Sequence, residues 1–172
     1  MDRWLSMAEF AKGEGASLAD VLRSWCDRNE ITYRDRDGFL EAFWDGPCGQ
    51  VRAILQAHDA DELAMVFLYP PVRMPAAALP RMAEPVARVN WELSLWCVEL
   101  GWDDGVVRLR ASAISSEGHV EDHEIARLLF GGLDVMNHYL PAVYAVAFGG
   151  AAPADALAAL PPPASSATND LN

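Results

Sequence analysis

Two of the three Asp-Gly dipeptides, Asp37-Gly38 and Asp104-Gly105, constrain this chain more than any other feature, because each lies between segments that alternate apolar and polar residues. Glycine takes the positive φ of a tight reversal and alternation is the period of a half-buried strand, so each dipeptide predicts a hairpin. Before the first, Ile31 and Tyr33 alternate with polar residues; after it comes the strand-like FLEAFWD at 39–45, closed by Gly46-Pro47-Cys48-Gly49. Further strands fit 50–58 and 63–69, joined by the acidic turn Asp59-Ala60-Asp61. The run MVFLY is apolar on both faces, which places it centrally in a sheet. Around the second dipeptide, strands fit 95–101 and 105–114, and in the latter Val107, Leu109 and Ala111 alternate with Arg108, Arg110 and Ser112.

Helical spacing fills the remainder. Ser17 caps a helix over 18–29 whose Leu18, Val21, Leu22 and Trp25 share one face. Pro70, Pro71 and Pro75 end the fourth strand and lead into a helix over 76–93, bent at Pro85, with Asn90 on the stripe of Leu79, Met82, Val86 and Leu93. A last helix over 121–148 opens with Glu121, Asp122 and Glu124 at the positive end of its dipole. Gly131-Gly132 in its middle calls for close packing on a neighbouring backbone, and Pro141 for a kink. The order α-β-β-β-β-α-β-β-α is that of an α+β domain, an antiparallel sheet with three packed helices. This domain spans 17–149, between an N-terminal arm at 1–16 and an Ala/Pro/Ser-rich tail at 150–172 expected to be disordered.

Charge narrows the function. Thirteen Lys+Arg against 25 Asp+Glu give a net charge of −12 over 172 residues, which disfavours nucleic acid and anionic membranes as partners, since both draw affinity from clustered cations. The N-terminus lacks the basic start and unbroken apolar stretch of a secretory signal, and no membrane-length apolar run occurs, so a cytoplasmic location is expected. Three widely spaced cysteines, Cys26, Cys48 and Cys97, fit a reducing compartment as small core fillers.

No constellation points to chemistry. His119 and His123 have the i, i+4 spacing that can put two imidazoles on one metal, but the order H-V-E-D-H differs from the zincin motif and no third ligand follows. His58 with Asp59 and Asp61 suits a polar turn. Asp103 and Asp104 are adjacent carboxylates in a hairpin turn, with nothing to separate their pKa values. Ser112, Ser115 and Ser116 lack a nucleophile context. Glu99 can bridge to Arg108 or Arg110 across its hairpin, a structural contact. No catalytic, cofactor-binding or metal-ligating residue is therefore expected. The six tryptophans leave two readings open: all line the core and rim of one monomer, or one or two lie in a dimer or partner interface.

From Pro75 onward the chain carries a recognisable pattern: Asn90 near the end of the second helix, Glu99 in a strand, the Asp104-Gly105 turn, Arg108 and Arg110 in the next strand, then Tyr139, Pro141 and Gly149 in the closing helix. In these residues it resembles the YbjN family, bacterial proteins described as sensory transduction regulators. It departs from the pattern in lacking a glycine shortly after Asn90, where Trp96-Cys97 stand, and in having Val98 for the aromatic before Glu99. The resemblance implies a fold like the type III secretion chaperones, a curved antiparallel sheet with helices packed on it, commonly dimeric. It implies a non-enzymatic regulatory module that binds a protein partner and forms a homodimer, with the motif residues in structural roles. The alternatives are a dedicated chaperone for a secreted effector, or a small-ligand sensor or enzyme using His58, His119 or His123.

Overall fold

The computed structural model describes residues 17–115 and 119–162; the arm at 1–16 and the tail from 163 lie outside the described residues. Six strands, β1 (Tyr33–Arg36), β2 (Phe39–Gly46), β3 (Gly49–His58), β4 (Leu63–Tyr69), β5 (Cys97–Leu100) and β6 (Val107–Ile114), form one antiparallel sheet in the order β1-β2-β3-β4-β6-β5. The helices are α1 (Leu18–Arg28), α2 (Leu79–Glu92), α3 (Asp122–Ala126), α4 (Gly132–Ala147) and α5 (Pro153–Ala158). The fold is α+β, as expected, and β4 is interior to the sheet, where its two-sided apolar run belongs.

One face of the sheet carries the core. Leu40 and Ala42 on β2, Val51, Ala53 and Leu55 on β3, Ala64, Val66 and Leu68 on β4, and Val107, Leu109 and Ala111 on β6 are all buried. They pack against Leu22 and Trp25 of α1, Met82 of α2, Leu129, and Leu140 of α4. Asp59, in the turn after β3, accepts a 2.8 Å hydrogen bond from the Leu18 N–H and so ties the start of α1 to the sheet, beside the Ser17 cap. Trp25, fully buried, donates its indole N–H to the Asp122 carbonyl at 3.1 Å and fixes α1 to the start of α3.

The long final helix differs from expectation. It is interrupted by a π-turn at Arg127–Gly131 that separates α3 from α4. The neighbour facing Gly131-Gly132 is the indole of Trp96 rather than a backbone: a Cβ on Gly131 would stand 2.7 Å from that ring, and one on Gly132 3.1 Å from its nitrogen and 2.9 Å from Leu68. The same indole donates its N–H to the Leu128 carbonyl at 3.2 Å, supplying a partner for a backbone group in the widened turn. Neither internal proline ends its helix, for α2 continues past Pro85 to Glu92 and α4 past Pro141 to Ala147.

Part of the segment expected to be a disordered tail is ordered. After Gly150 takes a positive φ of +69°, residues 153–158 form α5, which packs on α2 and α4 with Ala156 buried. The Pro/Ala composition that resembles a linker is here a helix with Pro153 in its first turn, where a missing N–H costs little.

Candidate functional site

No described helix covers the opposite face of the sheet. Its side chains are those out of phase with the core: Arg34 and Arg36 on β1, Glu41 and Phe43 on β2, Arg52 and Ile54 on β3, Phe67 and Tyr69 on β4, Glu99 on β5, and Arg108 and Arg110 on β6. The five arginines outweigh Glu41, Asp45 and Glu99, so this face is cationic in a chain of net charge −12.

A band of alternating cations and aromatic rings crosses it. Cross-strand register sets Phe43 opposite Arg52, Arg52 opposite Tyr69, and Arg108 opposite Glu99. The Arg34 guanidinium lies 5.7 Å from the centroid of Phe43, and Arg52 lies 4.6 Å from that of Tyr69. Arg108 lies 4.6 Å from Phe67 and 6.0 Å from Tyr69, whose hydroxyl accepts its N–H at 3.1 Å. At these distances each guanidinium is attracted to the negative face of a ring. Arg108 lies over Phe67, and Ile54 and Phe67 are each only 8% exposed although no described helix covers them. Phe43, at the margin, remains 40% exposed. Above Arg52, Tyr69 and Arg108 lies a half-open groove of about 560 Å³, walled by Phe43 and Gln50 on one side and by the loop through Val72 and Arg73 on the other.

The band ends in an ion triad. Glu99 accepts from Arg108 Nε and Arg110 Nε at 2.6 Å each, one oxygen to each guanidinium. Partial burial pushes the Glu99 carboxyl up, but the bonds from Arg110 and Arg108 outweigh it and hold the group below the usual carboxylate range. A carboxylate with a depressed pKa stabilises the fold above its unfolded value, near 4.3, and that contribution disappears as pH falls through the folded value. Glu99→Gln is therefore expected to cost about 1 kcal/mol at neutral pH, solvent screening keeping the figure small. Urea midpoints should show the gap and its closing in strong acid; a gap independent of pH would contradict the assignment.

The other motif residues hold the frame. Asn90 is half-buried and clasps the backbone of Val98, its Nδ2 donating to the Val98 carbonyl at 2.9 Å and its Oδ1 accepting the Val98 N–H at 2.7 Å. Asp104 Oδ1 accepts the Val106 N–H at 3.1 Å, while Gly105, at φ +68°, has a carbonyl that accepts from Met74 N at 2.7 Å. Tyr139 donates its hydroxyl to Glu92 at 2.9 Å, tying α4 to the end of α2; burial and that bond push the phenol up to about 12. Pro141 lies exposed within α4, and Gly149 follows its end, where a Cβ would press on the Ala145 carbonyl. Glu99, Arg108 and Arg110 thus meet on the open face, while Asn90, Asp104, Gly105 and Gly149 sit at corners and turns and Tyr139 and Pro141 lie within α4.

The histidines are not brought together into a site. His119 is exposed and pairs with Glu121 at 3.2 Å, and among the described residues no group of three His, Cys, Asp or Glu side chains could hold a metal. Cys26 is buried and its thiol is pushed up to about 11 by that burial, whereas Cys48 and Cys97 are only half-buried. Arg34, Phe43, Arg52 and Tyr69 were not singled out from the sequence. Their signal is their phase: Phe43, Arg52 and Tyr69 each fall one residue off the buried positions of their strands, and Arg34 pairs with Glu41 on the same face.

The domain is therefore an α+β sheet with its helices on one face and an arginine–aromatic band on the other. The family model for YbjN, described as "Putative bacterial sensory transduction regulator", matches residues 18–145, and the chain belongs to that family. The crystal structure of YbjN from E. coli, described as "a putative transcription regulator", matches with a TM-score of 0.58 at 16% identity, over 76% of this chain and 92% of that one; it shows the shared fold. No curated protein matches the sequence. No described helix is long and apolar enough to cross a membrane.

Proposed function

We propose that the protein is a cytoplasmic, non-enzymatic regulatory module that works by holding a protein partner on the open face of its sheet. The observation that carries this reading is the band from Arg34 to Arg108, which leaves rings and guanidinium groups at the surface in the mixture enriched at protein interfaces. Membership of a regulator family supports it. A chaperone role is the same reading with a secreted effector as the partner. The test is affinity capture from the native host by the tagged protein, with partner stoichiometry read by light scattering. A single stoichiometric protein supports the module, and its identity separates regulator from secretion chaperone; metal-dependent or metabolite-dependent turnover by the purified chain would overturn it.

The expected homodimer has a candidate surface of its own. Trp91 on the outer face of α2 is 91% exposed, an unusual position for the largest amphipathic side chain. One turn before it lies the small Ala87, also exposed, flanked by the Glu84–Arg88 pair. A two-fold axis through α2 would set each Trp91 against the other copy's Ala87 turn, with both charge signs available on each side. Trp91→Glu is expected to halve the mass measured by light scattering, from twice 18.8 kDa to the chain mass. An unchanged mass would remove α2 from the interface.

A further inference from the structure

We propose that residues 1–12 of this chain form an amphipathic helix that docks on a second, apolar patch of the open face, beyond the arginine–aromatic band. The patch is built by register. Leu63 and Met65 alternate along β4 on the open side, with Ile114 opposite Leu63 on β6. Phe39 on β2 shares the cross-strand row of Met65, with Gln56 between them, and Ile54 stands diagonal to Met65 on β3. Among the described residues these side chains join neither the core of the helix-covered face nor its half-buried margin. Ile114 is 78% exposed. Contiguous apolar side chains of this kind mark a surface that another element covers. Met65 lies four residues before Tyr69 on β4, about 13 Å at the rise of a strand, so an element seated here leaves the Phe43–Arg52–Tyr69 row free.

The course of the chain and its sequence pattern fix the occupant. Residues 1–16 join the described domain at Ser17, whose neighbour Leu18 donates its N–H to Asp59 at 2.8 Å. Asp59 directly follows His58, the last residue of β3; His58 is paired with Leu63, and Leu63 with Ile114. The arm therefore meets the sheet at the end where the patch lies. Trp4, Met7, Ala8 and Ala11 have the i, i+3, i+4, i+7 spacing of one helical face, and Asp2, Ser6 and Glu9 fall opposite. Gly13-Glu14-Gly15 then interrupts the pattern. The five steps from Lys12 to Ser17 reach at most about 17 Å, enough to pass round the end of β3 to the open side. A helix over 1–12 is about 18 Å long, and the three strand spacings from β2 to β6 amount to about 14 Å, so one helix laid across the strands covers the patch. An isolated helix of this length is marginal in water, and burial of its apolar face supplies what it lacks. The segment carries Arg3 and Lys12 against Asp2, Glu9 and Glu14, without the cationic face that takes a surface helix to an anionic membrane.

The experiment is hydrogen exchange read by mass spectrometry on the full chain, comparing the wild type with Trp4→Glu and Ile114→Glu. The first puts a charge on the docking face of the helix. The second puts one in the patch at a side chain that is already exposed. In the wild type the amides of residues 7–12 are expected to exchange at least about tenfold more slowly than those of an unstructured chain, and each variant is expected to return them to the unstructured rate. The amides of α4 report the fold and should keep their wild-type protection throughout; if Ile114→Glu loses it, Trp4→Glu alone decides. Protection of residues 7–12 that survives about tenfold dilution of the wild type places the helix on its own domain. Three results would each overturn the inference: unprotected amides in the wild type, protection retained in Trp4→Glu or in a folded Ile114→Glu, or protection lost on dilution, which would seat the helix on a second copy. The protein-binding reading stands or falls separately, by whether the wild-type chain captures a stoichiometric partner.

Discussion

Trp96→Ala is expected to lower stability by about 3 kcal/mol, at the lower end of the range for removing a large aromatic because the side chain is only half-buried. The indole does two jobs at one place. It fills the hollow that Gly131 and Gly132 leave by lacking Cβ atoms, at distances of 2.7 and 3.1 Å from where those atoms would stand. It also donates to the Leu128 carbonyl within the π-turn. Trp96→Phe separates the two, keeping most of the apolar volume and losing the donor, and is expected to cost about 1–2 kcal/mol. Urea unfolding followed by far-ultraviolet circular dichroism gives both values. If Trp96→Ala unfolds at the wild-type midpoint, the indole is not what holds the turn.

Asn90→Leu carries the second large effect, about 1–3 kcal/mol. The amide satisfies both backbone groups of Val98 at the corner between α2 and β5, where no strand partner is available on that side of the edge strand. Leucine has the volume but neither donor nor acceptor, so the N–H and carbonyl of Val98 lose their partners. Asn90→Asp retains the acceptor for the Val98 N–H at neutral pH and should fall between the two. A wild-type unfolding midpoint for Asn90→Leu would mean that water replaces the amide at no cost.

What the sequence made legible was local. Asp37-Gly38 and Asp104-Gly105 mark reversals by residue chemistry alone, and alternation assigned Val107, Leu109 and Ala111 to the core face. Even the Glu99 contact follows from hairpin register, although that register left open whether Arg108 or Arg110 was the partner; both are. The parts that were not legible depend on distant segments. The π-turn answers to Trp96, more than thirty residues earlier in the chain. The arginine–aromatic band requires β6 to insert between β4 and β5, an order that alternation within strands does not encode. Helix α5 escaped notice because alanine, a linker-like residue by composition, is here the small side chain that lets α5 close on α2 and α4.

The central claim is that the face from Arg34 to Arg108 is the working surface. It is tested most directly by repeating affinity capture from the native host with wild-type protein and with an Arg52→Glu, Phe43→Ser double variant. Both positions are exposed, so the double variant should fold as the wild type does. The account predicts one stoichiometric partner on the wild type and its loss from the variant. A partner held equally by both proteins would place the binding surface elsewhere and contradict the claim.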